Sequence, residues 1–383
     1  MTVTSPAGFT ASGVAAGIKA TGAKDLALVV NQGPQLTAAG VFTANRVHAA
    51  PVKWSRQVLT TGTLKAVVLN SGGANACTGP KGFQDTHATA ERVAERLDTG
   101  AAEVAVCSTG LIGEFLPMDQ ILSGVDKAAT ELSPVGGDDA AVAIMTTDSV
   151  AKNVSVAGAG YLVGGIAKGA GMLAPGMATM LCVITTDAVI DSATADAALR
   201  EACRLSFDRL DSDGAMSTND TVLLMASGAS EVEADPAEFT ATLTTACVDL
   251  AKQLLADAEG ATKEVAISVI GAASEADAVT VGRSVARNNL VKCALFGEDP
   301  NWGRILAAVG TTDAQFDADQ LDVAVNDVWI CRSGAAAEDR SKVDLTGRDV
   351  SVTIELNAGD HQATIWTNDL SHAYVHENSA YSS

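Results

Sequence analysis

The chain carries few basic residues and none of the long apolar runs that cross membranes. Its 383 residues include 46 Asp and Glu against 25 Lys and Arg, a formal net charge of −21. A field of that sign repels phosphate backbones, which argues against nucleic acid as a partner. The sequence has no stretch of about 18 or more apolar residues, so we predict no transmembrane segment. Residues 1–6 lack both a basic and an apolar region, so we expect no secretory signal and a cytoplasmic location.

Cysteine and histidine patterns give no sign of disulfides or metal sites. The seven cysteines are odd in number, scattered and never arranged as Cys-x-x-Cys, so we interpret most of them as reduced core residues. His372 and His376 are four residues apart, but we predict an extended C-terminal tail, which would not place them on one helical face. We therefore predict neither a metal nor an organic cofactor.

Short apolar stretches alternate with amphipathic ones along the whole chain. We predict helices at 86–98, 118–132, 137–145, 192–205 and 236–258, with Ser192 as the N-cap of the fourth. The apolar patterns predict strands at 26–30, 66–69, 104–107, 180–184, 221–225, 265–269, 350–354 and 362–366. The mixture indicates α/β or α+β layers, without repeats, low-complexity tracts or an obvious interdomain linker.

The most informative segment is residues 168–181, where a loop broken by Gly and Pro leads into an apolar strand. Thr179 stands at the junction, eleven residues after Lys168. Threonine is common at strand starts, and a threonine hydroxyl is by itself a weak nucleophile. In a tight loop, however, an N-to-O acyl shift followed by hydrolysis would cut the chain between Ala178 and Thr179. The freed α-amine, with a reference pKa of about 7.7–8.0, could then act as base for its own hydroxyl.

A second segment, Ser-Thr-Gly-Leu-Ile-Gly at residues 108–113, follows a predicted strand. Acyl transfer needs hydrogen-bond donors for an oxyanion, and Gly110 would let the backbone approach a ligand closely. On its own, the segment is more typical of an ordinary strand-to-helix turn.

Both segments resemble those of the bacterial ornithine acetyltransferases, also called glutamate N-acetyltransferases, of the ArgJ family. Residues 168–181 resemble the processing site of that family, a Lys-Gly-x-Gly-Met loop followed by Pro and Met-Ala-Thr-Met-Leu. Residues 108–113 resemble its Ser-Thr-Gly-Val-Ile-Gly segment, whose Thr and Gly form the oxyanion hole and match Thr109 and Gly110. Similar blocks at 8–14, 69–76, 145–148, 217–221, 259–263, 299–304 and 378–383 spread the resemblance over nearly the whole chain.

The resemblance implies an Ntn-hydrolase-like layered α/β fold, self-cleaved into an α chain (1–178) and a β chain (179–383) that assemble as α2β2. It implies a ping-pong enzyme of arginine biosynthesis in which Thr179 takes acetyl from N2-acetyl-ornithine and passes it to glutamate. The substrate contacts of the family carry over to Thr146, Lys168, Thr179, Glu259, Asn378 and Ser383, with Thr147 as an alternative to Thr146. Lys168 would suit a carboxylate and Glu259 an ammonium, although isolated charges are usually only solvated.

Two segments depart from the family pattern. Residues 213–220 read Asp-Gly-Ala-Met-Ser-Thr-Asn-Asp where Asp-Gly-Asp-Thr-Ser-Thr-Asn-Asp is common, and 291–293 read Val-Lys-Cys where Val-Lys-Thr is usual.

Four alternatives stay open: a bifunctional enzyme that also uses acetyl-CoA, a self-cleaving amidase or aminopeptidase, a non-catalytic amino-acid binder, and a relative with a shifted acceptor. Self-cleaving aminopeptidases usually expose Ser, so Thr179 and the Lys168 loop disfavour the second.

Overall fold

The structure, a computed structural model, describes residues 2–174 and 180–380. The strands in these ranges are β1 (Phe9–Val14), β2 (Leu26–Asn31), β3 (Thr37–Phe42), β4 (Ala66–Gly73), β5 (Val104–Leu111), β6 (Lys152–Ala157), β7 (Leu162–Lys168), β8 (Leu181–Thr186), β9 (Thr221–Ala226), β10 (Glu264–Ala272), β11 (Asp322–Val325), β12 (Val328–Arg332), β13 (Ala335–Ala336), β14 (Asp349–Glu355) and β15 (His361–Asn368). The helices are α1 (Ala50–Val58), α2 (Gly79–Leu97), α3 (Met118–Thr130), α4 (Gly137–Ala143), α5 (Ser192–Leu205), α6 (Pro236–Ala256), α7 (Glu275–Ala286), α8 (Asn289–Phe296), α9 (Trp302–Val309) and α10 (His372–Ala380).

The strands form three sheets. The first has the order β1-β2-β4-β5, the second β3-β9-β8-β7-β6, and the third β13-β12-β11-β14-β10-β15. Most neighbours are antiparallel, but each sheet also contains one parallel pair: β4 with β5, β8 with β9, and β10 with β14. The layered α/β arrangement that the resemblance implies is confirmed.

The second sheet is buried on both faces, which explains the unbroken apolar runs of its central strands. Successive side chains of a strand point to opposite faces. Along β8, Leu181 and Val183 join the core shared with the first sheet, while Cys182 and Ile184 join the core beneath α5 and α6. Helices α2 and α3 contribute to the same core as the first sheet, so the layers run helix, sheet, sheet, helix.

The third sheet is covered on one face by α7, α8 and α9, and its strands alternate accordingly. Val265, Ile267 and Val269 of β10 are buried in that core, whereas the residues between them are partly exposed. The third sheet contacts the segment after α5 near Trp366, whose carbonyl accepts the Asp211 N–H at 2.8 Å.

The helix predictions were largely right, with two errors at helix starts. Helix α5 covers the predicted 192–205, but its N-cap is Asp191, whose carboxylate accepts the Thr194 N–H, so the assignment of Ser192 as cap was wrong. Helix α2 begins at Gly79 rather than residue 86, because Pro80 is tolerated in a first turn, where an N–H has no partner anyway.

The prediction of an extended C-terminal tail was wrong. Residues 372–380 form α10, whose first turn is capped by the Ser371 hydroxyl, which accepts the Tyr374 N–H at 3.0 Å. His372 and His376 therefore lie on one helical face. The cysteine prediction is confirmed for five of seven: Cys77 and Cys293 are exposed, the rest are buried, and all seven are free thiols. Among the helices of the described ranges, none is both long and apolar enough to cross a membrane.

Candidate active site

Predicted site residues from five separate segments of the chain line one cleft of about 100 Å³. The cleft lies where the ends of β5 and β7 meet the loop after α6 and the last turn of α10. The predicted residues that line it are Thr109, Gly110, Thr146, Lys168, Glu259 and Asn378. Thr147 lines it as well, so both threonines remain candidates. Ala178, Thr179 and Ser383 lie outside the described residues.

Gly110 has a backbone conformation that no other residue would adopt without strain. Its φ is +132°, and a Cβ at this position would lie 2.5 Å from the Gly73 nitrogen and 2.6 Å from the Gly72 carbonyl carbon. The neighbouring strand therefore excludes any side chain here. The glycine lets β5 turn its end, with Thr109, into the cleft.

Lys168 orients the hydroxyl of Thr109. Its Nζ donates to Thr109 Oγ1 at 3.1 Å, and both side chains are buried. Because the hydroxyl oxygen accepts from the ammonium, its own proton is available to another acceptor. Burial lowers the pKa of Lys168, and the negative charge of Asp148 opposes that effect. The Lys168 amine and the oriented Thr109 hydroxyl therefore lie side by side, and both side chains are buried.

Asp148 ties together two loops that line the cleft. Its Oδ1 accepts the Gly169 N–H at 2.6 Å, directly after Lys168, and its Oδ2 accepts the Thr146 N–H at 2.9 Å. Burial disfavours its charged form, but the ammoniums of Lys168 and Lys152 and these hydrogen bonds hold its pKa below the usual value. A permanent carboxylate therefore fixes the position of both loops.

Lys152 completes this network below the cleft. It is fully buried and lies 2.6 Å from Asp148 Oδ1 and 2.5 Å from Asp257 Oδ2. Asp257, just after α6, also accepts the Ser149 N–H at 3.0 Å. A buried ion pair adds little net stability, but it is costly to break once formed, so it holds β6 and α6 in a fixed relation.

Glu259 lines the same cleft as Thr109. It is 9% exposed, and its Oε2 accepts from the Asn378 amide at 3.0 Å. Gly171 makes room for it, because a Cβ on that glycine would lie 2.6 Å from Glu259 Oε2. The Glu259 N–H also donates to the Ala170 carbonyl at 2.9 Å, so the loop after Lys168 packs directly against this carboxylate.

Asn219 and Asp220, the two residues that directly precede β9, hold neighbouring segments of the cleft in place. The Asn219 amide donates to the carbonyl of Ser108 at 2.8 Å and to that of Ala74 at 2.6 Å, which holds the end of β5 in place. Asp220 Oδ1 accepts the Met180 N–H at 3.0 Å, and burial raises the pKa of Asp220 well above its usual range. Its Oδ2 has no hydrogen-bond partner among the described residues.

Sequence reasoning did not assign roles to Asp148, Asn219 or Asp220. All three stand in blocks that resemble the family, at 145–148 and 217–221, which was the available signal. Apart from Thr146 and Lys152, the hydrogen-bond partners described above lie 21 to 145 positions away in the chain, so spacing alone does not pair them. Across residues 2–174 and 180–380, no group of three or more His, Cys, Asp or Glu side chains is placed to hold a metal ion.

These groups can perform acyl transfer on a charged amino acid. Thr109 supplies a donor directed by an ammonium, and such preoriented donors stabilise a developing oxyanion. Lys168 and Glu259 supply opposite charges at two positions of the same cleft. The strand partner of Lys168 is Leu181, so the loop that carries the predicted nucleophile starts and ends at this cleft.

Comparisons with known proteins point to one family. The family model described as ArgJ family matches residues 10–383. The arginine biosynthesis bifunctional protein ArgJ of Streptomyces avermitilis is 64% identical over 383 residues and covers both chains fully. The solved arginine biosynthesis bifunctional protein of Bacillus halodurans is 34% identical over 51% of this chain and 97% of its own, with a TM-score of 0.50. An ornithine acetyltransferase of Mycobacterium tuberculosis, solved with ornithine, is 62% identical over 47% of this chain and 96% of its own, with a TM-score of 0.44.

Proposed function

Because the chain belongs to the ArgJ family, we propose that it is an acetyltransferase that moves acetyl from N2-acetyl-ornithine to glutamate in arginine biosynthesis. The observation that carries this proposal is the Lys168–Thr109 contact beside Gly110, in the same cleft as Glu259. That arrangement offers an oxyanion donor and two opposite charges to one small, zwitterionic substrate. Thr179 is the proposed nucleophile, on the strength of the motif at 168–181.

In the first half of the cycle, the Thr179 α-amine takes the proton of the Thr179 hydroxyl, and the oxygen bonds to the acetyl carbonyl carbon. The oxyanion receives hydrogen bonds from Thr109 and Gly110. The bond between the acetyl carbon and the ornithine nitrogen then breaks, and that nitrogen takes up the proton. In the second half, the neutral α-amine of glutamate attacks the acetyl ester, and Thr179 leaves as a hydroxyl.

Self-cleavage between Ala178 and Thr179 is part of the proposal. The Streptomyces avermitilis relative matches the full length, whereas the solved Bacillus halodurans chain covers only 51% of this chain with nearly all of its own length. A half-length solved chain beside full-length relatives is what a cut near residue 178 would produce. An α2β2 assembly and a cytoplasmic location belong to the same proposal and rest on the family resemblance.

Intact mass spectrometry of the purified protein, with and without N2-acetyl-ornithine, tests the proposal. We expect two fragments, 1–178 and 179–383, with one acetyl group added to the second. Thr179→Ala should remain uncut and unacetylated. Thr109→Val should be acetylated about 100- to 1,000-fold more slowly, the usual effect of removing one oxyanion donor. An uncut wild-type chain that never takes up acetyl would overturn both the cleavage and the mechanism.

A second candidate function is a bifunctional enzyme that also makes N-acetylglutamate from acetyl-CoA and glutamate. The name of the full-length relative, a bifunctional protein, favours it. Acetylation of the 179–383 fragment by acetyl-CoA alone would establish this second donor. Rapid loss of acetyl to water in the absence of glutamate would instead support a hydrolase.

A further inference from the structure

A second cavity, of about 240 Å³, adjoins the cleft at Glu259, which lines both. Helix α10 also borders both: Asn378 lines the cleft, and Tyr374, one turn earlier, lines the second cavity. We call this cavity the side chamber. Besides Glu259, its charged lining residues are Asp213, Arg287, Lys292 and Asp369. The side chamber is therefore a polar space next to the carboxylate that the proposed function assigns to the substrate's ammonium.

Lys292, on α8, is a buried ammonium with unused hydrogen-bonding capacity. It is 5% exposed and donates to Thr367 Oγ1 at 3.1 Å and to the Asn368 carbonyl. An ammonium has three N–H donors, and within the described ranges the third has no acceptor. Burial lowers the pKa of Lys292 to about 8, although nearby aspartates, Asp213 foremost, act in the opposite direction. An anionic ligand would supply the missing acceptor.

The two substrates of the proposed reaction place opposite charges at the same end of the cleft. In N2-acetyl-ornithine the α-nitrogen is acylated, so the remaining ammonium is at the end of the side chain. Glutamate carries a carboxylate at the end of its side chain. Glu259 attracts the ornithine ammonium and repels the side-chain carboxylate of glutamate. Lys168, the cation of the cleft lining, contacts Thr109 and is assigned to the α-carboxylate that both substrates share.

We propose that the side chamber receives the side-chain carboxylate of glutamate and that Lys292 is its ion-pair partner. This inference rests on the proposed function. The terminal atoms of the two side chains lie the same number of bonds from Cα, so the two differ in direction: the ornithine ammonium turns towards Glu259 and the glutamate carboxylate turns towards Lys292. Arg287 is a weaker candidate, because its guanidinium is half exposed and its Nε already donates to Asp211 at 2.7 Å. A buried cation attracts a carboxylate more strongly than an exposed one.

The test compares glutamate with glutamine as acceptors of the acetyl group. Wild-type enzyme should prefer glutamate, and Lys292→Met should reduce the ratio of the two kcat/KM values by about tenfold or more, as expected for a lost buried charge pair. Acetylation by N2-acetyl-ornithine should change little. Lys292→Gln, which keeps hydrogen-bond donors without the charge, provides a second variant if the first folds poorly. Because the readout is a ratio, general damage to the site cancels.

Lys263→Met is the matched control. Lys263 is also 5% exposed, but its ammonium donates to the carbonyls of Leu345 and Gly347 and does not line the side chamber. It should leave the acceptor ratio unchanged. An unchanged ratio in folded Lys292 variants, or the same loss in Lys263→Met, would overturn the assignment.

Calorimetric binding of glutamate and glutamine to the same proteins separates this inference from the proposed function. If wild-type enzyme takes up no acetyl, the proposed function fails, and the binding preference still decides the role of Lys292. We expect wild type to bind glutamate more tightly than glutamine and Lys292→Met to lose that preference. Equal binding of the two by wild type would refute the subsite.

Discussion

Replacing Asp148 with Asn should move the alkaline limb of the pH profile for acetyl transfer to lower pH. The carboxylate of Asp148 accepts N–H groups from Thr146 and Gly169 and lies beside two buried lysines, Lys152 and Lys168. Asparagine has nearly the same shape and keeps one oxygen acceptor, but it carries no charge. The substitution therefore removes the negative charge next to Lys168 while disturbing the packing little.

The size of the effect follows from the charges around Lys168. Asp148 is the foremost of the groups that raise its pKa, ahead of Asp220 and Glu259. A nearby opposite charge typically changes a pKa by roughly 1–3 units. Because Glu259 remains, we expect the alkaline limb to move to lower pH by an amount at the low end of that range. A protonated Lys168 is needed to bind a carboxylate, so at alkaline pH kcat/KM for N2-acetyl-ornithine should fall about tenfold.

The assay is the pH dependence of kcat/KM for N2-acetyl-ornithine across the neutral and alkaline range. Asp257→Asn is the matched control, because Asp257 also pairs with Lys152 but does not contact the Thr146 or Gly169 N–H. It should lower stability without moving the alkaline limb. An unmoved limb in Asp148→Asn, or an equal displacement in Asp257→Asn, would refute the reasoning.

Three further substitutions test the fold around the site. Gly110→Ala should lose acetylation and about 1–3 kcal/mol of stability, because its Cβ would collide with the neighbouring strand. Gly113→Ala is the control: this glycine also has a positive φ, but the space around its Cβ is open, so the variant should keep activity. Burial raises the pKa of Asp211 to about 6 from 3.8, so the folded state binds this proton more tightly and stability falls as pH rises through that interval. Asp211→Asn should remove most of that loss, up to about 3 kcal/mol by chemical denaturation. Phe239→Ala, a fully buried position on α6, should cost about 3–5 kcal/mol in the same assay.

The elements that the sequence predicted well are those with two covered faces or a strong amphipathic period. Strands β2, β8 and β9 are buried along their whole length and therefore appear as unbroken apolar runs. Helix α6 has Pro in its first turn and an Asp235 cap, both of which are visible in the sequence.

The elements that the sequence missed depend on contacts between distant residues. The first turns of α2 contain Gly79 and Gly82, which disfavour a helix locally. Gly82 is nevertheless required, because a Cβ there would lie 1.9 Å from Thr78 Oγ1. Helix α10 has no fully buried residue and hence no apolar period to detect. It is held by the Ser371 cap and by the contact of Asn378 with Glu259.

Most residues that line the cleft were predictable from motifs, but the residues that support them were not. Thr109, Gly110, Lys168 and Glu259 stand in specific motifs, so their place in one cleft was expected from the resemblance. Nothing in the sequence shows that Asp148 contacts the residue after Lys168. That contact exists because β6 and β7 pair antiparallel and bring residues 152 and 167 opposite each other.

The partners of the buried lysines separate those that support the fold from those that can receive a substrate. Lys152 lies between two carboxylates, so its charge is already neutralised and it has no use for an anionic ligand. Lys263 donates to backbone carbonyls and lies 3.4 Å from Glu298 Oε1. Lys168 and Lys292 form no ion pair within the described ranges and donate to a hydroxyl or a carbonyl instead. A buried ammonium without a paired carboxylate is stabilised when an anion arrives. Lys168 and Lys292 line the two adjoining cavities, and glutamate has two carboxylates, one for each lysine.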